Sequence, residues 1–316
     1  MKAHSRCVRI SWRARLGITV GLLIATLLFG STSAAEGLEL VSFDYELVPE
    51  PDLEHTDVEA EELRIIAHTY TLKFALPLLL DGQNTMLLNF VTLRTLHQSY
   101  RNVAAAGLVY RPDDLYTFKY GLVFLQKLSP RWRLAVLIQP SLLSDLVDVS
   151  SDHIRLRAGF MFSKKVSERF SYSLGGGYSD DYGEEKVLPV VQLKWTDQHA
   201  WDMTFDLPQK ADIWYLLSER WRIGLNAKVT GAHYRLGEDI RLESGTTGGG
   251  RVKYSILNVG PAVQCRLYKG LKVTFNTGSS VYRKFEVFDR SGRLIEDPEA
   301  EQSFFFKFGI DYNVGD

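Results

Sequence analysis

The residues with the most chemical potential in this chain are its histidines, a few acid clusters and an excess of bases in alternating segments. His55, His68, His97, His153, His199 and His233 lie beyond the first fifty residues, and Ser150-Ser151-Asp152-His153 places a nucleophile, an acid and a base side by side. A hydrolase triad needs those groups to converge from separate elements, and neighbours on one strand end cannot do so by themselves. There is also no Gly-x-Ser-x-Gly elbow. The segment Gly245 to Gly250 lacks the Lys of a phosphate-cradling loop and reads as a flexible loop. With only Cys7 and Cys265 there is no disulfide framework and no Cys-based zinc site. Acid clusters at 50–62, at 286–301, at Asp145, Asp148 and Asp152, and at Asp180, Asp181, Glu184 and Glu185 show no fixed ligand spacing, so they read as solvated loop faces. The expectation is a protein that is not an enzyme and carries no cofactor and no metal.

The remaining chemistry is electrostatic. In the cleanest alternating segments, Arg133, Arg155, Arg157, Lys194, Arg222, Lys228, Lys253, Lys272 and Lys307 share the polar face with only Asp202, Asp206 and Asp311. If that face lines a lumen, nine bases against three acids would favour anions.

Export comes first. Lys2, Arg6, Arg9, Arg13 and Arg15 precede an apolar run from Leu16 to Phe29, and Ser31-Thr32-Ser33-Ala34-Ala35 follows. Basic, apolar and small-residue regions in that order form a secretory signal. The apolar run has 14 residues, short of the ~20 that a spanning helix needs. Residues 1–35 are therefore expected to be removed and 36–316 to form the folded domain. The intact mass of envelope protein checks this: it should correspond to cleavage after Ala34 or Ala35. The leader holds five of the 37 bases and none of the 38 acids, so the remainder is acidic by six charges and is not a general nucleic-acid binder.

The rest alternates with period two. Trp221, Ile223, Leu225, Ala227 and Val229 oppose Arg222, Asn226 and Lys228. Trp201, Met203 and Phe205 oppose Asp202, Thr204 and Asp206, and Ile154, Leu156, Phe160 and Phe162 oppose Arg155 and Arg157. Phe304, Phe306, Phe308, Ile310, Tyr312 and Val314 form the last such stretch, read with one phase shift between Phe306 and Phe308. Successive strand side chains point to opposite faces, so each segment has an apolar and a polar side. The segments from Arg220 to Leu236 and from Lys269 to Arg283 are far longer than the five or six residues common in soluble sandwiches.

Short polar turns that lead straight into an aromatic or Leu recur at Ser129-Pro130-Arg131-Trp132, Ser167-Glu168-Arg169-Phe170, Asp197-Gln198-His199-Ala200-Trp201, Ser218-Glu219-Arg220-Trp221 and Lys269-Gly270-Leu271. Asp81-Gly82 adds a hairpin dipeptide. Longer polar links separate these turns. Short turns on one side and long links on the other describe an all-β, up-and-down transmembrane barrel. Six turns and seven links give fourteen strands, with twelve as the alternative where Pro189 and Pro208 interrupt the pattern. Trp132, Phe170, Trp201 and Trp221 would then form an aromatic girdle at one membrane interface.

Gly175-Gly176-Gly177-Tyr178-Ser179-Asp180-Asp181-Tyr182-Gly183, with Leu188-Pro189 and Trp195 beyond it, resembles a domain-of-unknown-function family of predicted bacterial outer-membrane β-barrels. Leu217-Ser218-Glu219-Arg220-Trp221-Arg222 and Ser151-Asp152 leading into Arg155 resemble the same family, and the similarity runs from about Leu40 to Val314. It implies an outer-membrane barrel and brings no activity with it. Lys307-Phe308-Gly309-Ile310-Asp311-Tyr312-Asn313-Val314 resembles the terminal signal read by barrel-assembly machinery, through Gly309, Tyr312 and Val314. The expected partners are that machinery, outer-membrane lipid and lipopolysaccharide, and the expected function is a channel or substrate-specific transporter with a basic lumen. The alternative is a closed barrel that acts in structure or surface interaction through acidic loops.

Overall fold

The computed structural model describes residues 38–49, 64–81, 84–101, 114–180, 185–197, 199–237, 240–242, 245–247, 250–289, 292–296 and 302–314. The leader and the acidic stretch at 50–62 lie outside these residues. In chain order the strands are β1 (Leu38–Val48), β2 (Arg64–Asp81), β3 (Thr85–Arg101), β4 (Asp114–Lys127), β5 (Trp132–Ser144), β6 (Ile154–Lys165), β7 (Phe170–Ser179), β8 (Lys186–Thr196), β9 (Trp201–Leu207) and β10 (Lys210–Leu216). They continue with β11 (Trp221–Leu236), β12 (Ile240–Leu242), β13 (Gly245–Thr247), β14 (Gly250–Tyr268), β15 (Leu271–Phe288), β16 (Leu294–Glu296) and β17 (Ser303–Val314).

Each long strand pairs antiparallel with its neighbour in sequence. β1 pairs with β17, β17 with β15, β15 with β14 and β14 with β11. The ring closes with fourteen strands, while β12, β13 and β16 are small loop pieces outside it.

The recurring turn signature has a local cause. In the turns before Trp132, Phe170 and Trp221, the hydroxyls of Ser129, Ser167 and Ser218 accept hydrogen bonds from the backbone N–H groups two and three residues on, at 3.1 to 3.4 Å. Asp197 does the same with a carboxylate, accepting from His199, Ala200 and Trp201 at 2.8 Å each. Ser and Asp favour such turns because they satisfy amides that the ladder leaves unpaired. The N–H groups of His199 and Trp201 hold the Asp197 carboxyl below its ordinary range. Its contribution to the turn is thus present above the ordinary carboxylate range and is lost as pH falls through the lowered value.

Apolar side chains cover the outside. Phe118, Ile138, Ile154, Phe160, Leu174, Trp195, Trp221, Leu225, Phe275, Phe304 and Phe306 are all exposed. A soluble protein would not present so much contiguous apolar surface, whereas a barrel in hydrocarbon must. On β17 the pairing with β15 runs unbroken from Ser303 to Tyr312, so Phe304 to Val314 share one face without the phase shift expected between Phe306 and Phe308. At β14 the pairing does slip, between Leu257 and Asn258.

Two glycines allow a close approach there. A Cβ on Gly260 would fall 1.9 Å from the carbonyl oxygen of Thr277 and 2.7 Å from Cα of Gly278. Gly260→Val should therefore prevent closure between β14 and β15. Gel mobility of unboiled and boiled samples reads this: the wild type should shift on boiling, and the variant should run only at the boiled position.

The strand lengths are uneven. β9 and β10 have seven residues each, while β14 has nineteen and β15 eighteen. The wall is therefore low at the β9–β10 hairpin and tall at β11, β14 and β15. The tall part leans across the barrel, and Arg235 of β11 pairs parallel with Ser144 of β5. The N–H of Gly237 donates to both carboxylate oxygens of Asp145, at 3.1 and 3.0 Å, and Arg235 reaches Asp152 at 3.5 Å.

Leaning brings the inward side chains of both walls together. Val48, Ala67, Leu96, Leu115 and Leu143 of β1–β5 pack with Ala232, Tyr234 and Leu236 of β11, Val252, Tyr254 and Ile256 of β14, Val287 of β15 and Phe305 of β17. The Thr117 hydroxyl donates to Tyr234 Oη at 3.1 Å across this core. The hydrophobic core of this protein thus lies inside the barrel, at the end away from the short turns.

Candidate functional site: the lumen

Below that core the interior is polar. A cavity of about 350 Å³ is lined by Glu39, Asp44, Glu46 and Lys73 from β1 and β2, Lys210, Asp212 and Trp214 from β10, Arg222, Asn226 and Lys228 from β11, and Lys272, Lys307 and Asp311 from β15 and β17. A second, of about 260 Å³, lies at the short-turn rim and shares Trp214, Arg222, Gln264 and Lys272 with the first. The shared residues set the two cavities side by side between mid-barrel and that rim.

The larger cavity is closely paired. Lys307 contacts Asp44 at 3.0 Å, Lys73 lies 3.8 Å from Glu39 and 4.0 Å from Asp44, and Lys210 contacts Asp212. The amide of Asn226 donates to Asp212 at 2.8 Å and accepts from Asn276 at 2.9 Å. Asn258 donates to Glu46 at 3.1 Å and accepts from Ser280 at 2.7 Å. The Arg222 guanidinium stacks on Trp214, 4.4 Å from the ring centroid. Six bases and five acids line this cavity, a far smaller excess of bases than the alternating segments alone suggest.

The register explains the difference. Glu39, Asp44 and Glu46 share the inward face of β1 because a bulge between Glu39 and Val41 resets the alternation. Lys73 follows through its pairing with Ser42, and Arg94 through the pairing of Thr71 with β3.

The opposite wall has a different composition. Pairing along β5–β8 aligns Arg133 with Ser163, Gln139 with Arg157, Ser141 with Arg155, Ser171 with Lys194 and Ser179 with Lys186. The inward positions of these four strands therefore hold Arg133, Arg155, Arg157, Lys165, Lys186 and Lys194, and no Asp or Glu. Between them β7 contributes the small residues Ser171, Ser173, Gly175, Gly177 and Ser179, and a Cβ on Gly175 would fall 1.9 Å from the carbonyl oxygen of Phe160 on β6. Lys253 stands apart from both walls. Its neighbours Val252 and Tyr254 enter the core, so it occupies the opposite face of β14, where it contacts Glu286 at 2.9 Å.

Trp132, Phe170, Trp201 and Trp221 each begin a strand at the short-turn rim on the outer face, with Lys164 5.1 Å over the Trp132 ring. On β17, Gly309 pairs with Asp44, Tyr312 with Val41 and Val314 with Leu38. Ser150 and His153 are in contact through Nδ1 at 3.2 Å, in the turn before β6. Among the described residues no three His, Cys, Asp or Glu side chains group as a metal site.

Several solved barrels overlay loosely on this one. The COG4313 outer membrane channel from Pseudomonas putida F1 is 9% identical, covers 90% of this chain and 100% of its own, and gives a TM-score of 0.42. The Pseudomonas putida toluene transporter TodX is 8% identical with 92% of each chain covered and a TM-score of 0.37. The KdgM porin is 9% identical, with 86% and 98% covered and a TM-score of 0.33. These likenesses are of fold and carry no argument about function. No curated protein matches the chain in sequence. A family match spans residues 34–313, nearly the whole folded region, and the chain belongs to that family, the domain of unknown function DUF6268.

Proposed function

We propose that this barrel spans the bacterial outer membrane as a channel for anionic solutes. The observation that carries the reading is the inward face of β5–β8, whose strands hold six bases and no acid; of the six, Lys165 contacts Glu168 of the adjoining turn at 2.6 Å. Fixed charges along a narrow aqueous path act where screening is incomplete, so a one-signed wall biases which ions enter. The paired charges on the facing wall hold that side rigid and near neutral. The apolar exterior supports the membrane setting, with lipid and lipopolysaccharide as surroundings. Gly309, Tyr312 and Val314 support insertion by barrel-assembly machinery.

Proteoliposomes loaded with a chloride-quenched dye test the reading. Chloride added with a potassium ionophore present should quench the dye faster than in protein-free vesicles, and equal rates would contradict the channel. A second reading, a closed barrel for surface interaction, draws on the hydrophobic core that fills the far end.

A further inference from the structure

The core that fills the end of the barrel raises the question of how anything could leave there. The strand pairing supplies an opening in the side. β8 pairs with β9 only from Val191 onward, opposite Leu207, so Val187–Val190 have no partner strand on that side among the described residues. β11 pairs with β10 only up to Lys228, opposite Lys210. Above Val229, whose N–H donates to Gln209, its edge is again without a partner strand among the described residues until Arg235 meets Ser144. At the level of the β9–β10 hairpin three inter-strand spacings of ~4.8 Å put β8 and β11 about 14 Å apart. Above it β11 leans away toward β5, where Arg235 meets Ser144, and leaves the β8 edge uncovered by a strand among the described residues.

The height of this slot follows from β11. From Trp221, at the aromatic rim, to Val229 are eight residues, which at ~3.3 Å each and a tilt of ~40° rise about 20 Å. That is most of an apolar belt ~25 Å tall, so the slot opens at the outer-leaflet headgroups. Free backbone amides and carbonyls cannot face hydrocarbon, and at membrane depth they are tolerated only when buried in protein or lining water. Val187, Leu188, Leu207 and Val229 rim the slot with exposed apolar side chains, and Val187 is 78% exposed.

The inner side of the slot is basic. Pairing of β11 with β14 sets His233 beside Lys253 and Arg235 beside Arg251, and Arg235 reaches Asp152, three residues before Arg155, so β6, β11 and β14 meet in one vestibule. Among the described residues Asp152 contacts Arg235, and Glu286 lies between Lys253 and Lys284. Arg155 Nε, Arg251 Nε and His233 Nδ1 are buried with no hydrogen-bond partner among the described residues. The two Arg Nε–H groups are buried donors, and donors left in this state favour an acceptor from outside.

We propose that the slot is a water-filled side portal through which anions pass between the lumen and the outer-leaflet headgroups, with Arg155 and Arg251 as its anion-selecting sill. This rests on the channel reading above and names the route and the selecting residues.

Thiol chemistry in proteoliposomes tests it in a Cys265→Ser background. Leu188→Cys places a thiol on the inward face of the β8 free edge, and Leu193→Cys places one on the lipid face of the same strand. Folding of each variant is read by its shift on boiling. The thiol at 188 should react with a sulfonate-bearing methanethiosulfonate on the order of a hundredfold faster than the one at 193. The sulfonate reagent should also outpace the trimethylammonium reagent by about tenfold or more, relative to a free thiol in solution. Arg155→Gln with Arg251→Gln should bring that ratio close to one. Equal, slow reaction at both positions would overturn the portal, and a ratio indifferent to the two Gln changes would overturn the sill. A wild type that passes no current would overturn the channel reading, while the thiol rates still decide the portal.

Discussion

Replacing both Tyr234 and Tyr254 by Ala should open the far end of the barrel and lower its stability together. Both tyrosines are essentially fully buried at the centre of the core that joins β1–β5 to β11 and β14. Truncating a large buried aromatic typically costs 3–5 kcal/mol, and two neighbours that share a cavity do not add. The strand ladder does not pass through these side chains, so the ring should still close. Unfolding in urea should shift to lower denaturant, and single-channel conductance should rise severalfold as an axial path joins the lateral one. Tyr254→Phe, which keeps the ring, should change neither. Unaltered conductance and an unaltered urea midpoint in the double variant would mean that this core is neither a plug nor a keystone.

Reversing the basic wall should have the second large effect, on selectivity. Arg133→Glu, Arg157→Glu and Lys194→Glu together change the formal charge of the β5–β8 face by six units at inward positions on three strands. None of the three is on the lipid face, so the variant should insert and shift on boiling like the wild type. At an ionic strength of ~0.1 M the screening length is about 10 Å, comparable with a narrow lumen, so the charges reach across the permeation path. Reversal potential in a KCl gradient should change sign. The same six-unit change made in the aqueous loops should move it far less. An unchanged reversal potential would mean that current bypasses this wall.

Much of the architecture was legible because its signals are local. The turn before Trp132, Phe170, Trp201 or Trp221 carries its own Ser or Asp, and that side chain caps the turn with bonds inside a few residues. Alternation from Trp221 to Val229 reads directly as a lipid face and a lumen face because the pairing there is unbroken. The charge of the lumen was less legible. The alternation of Val41, Phe43, Tyr45 and Leu47 marks the lipid face of β1, but Asp44 and Glu46 on its inward face lie outside the cleanest alternating segments, and Glu39 joins them only through a bulge that no residue type announces. Lys73 lies in β2, which runs into Leu76 to Leu80, where apolar residues on both faces blur the period. The contact of Arg235 with Ser144, 91 residues away, is tertiary and leaves no local trace. It turns Tyr234, Val252 and Tyr254 from lumen-lining positions into core and sends Lys253 to the vestibule beside His233.

The central claim, an anion-preferring channel, meets its most direct test in planar bilayers holding the purified wild type across a KCl gradient. The account predicts discrete conductance steps and a reversal potential on the anion side of zero, moving toward zero as salt is raised and the fixed charges are screened. A membrane that stays silent with heat-shifting, correctly inserted protein, or a reversal potential on the cation side, would contradict it.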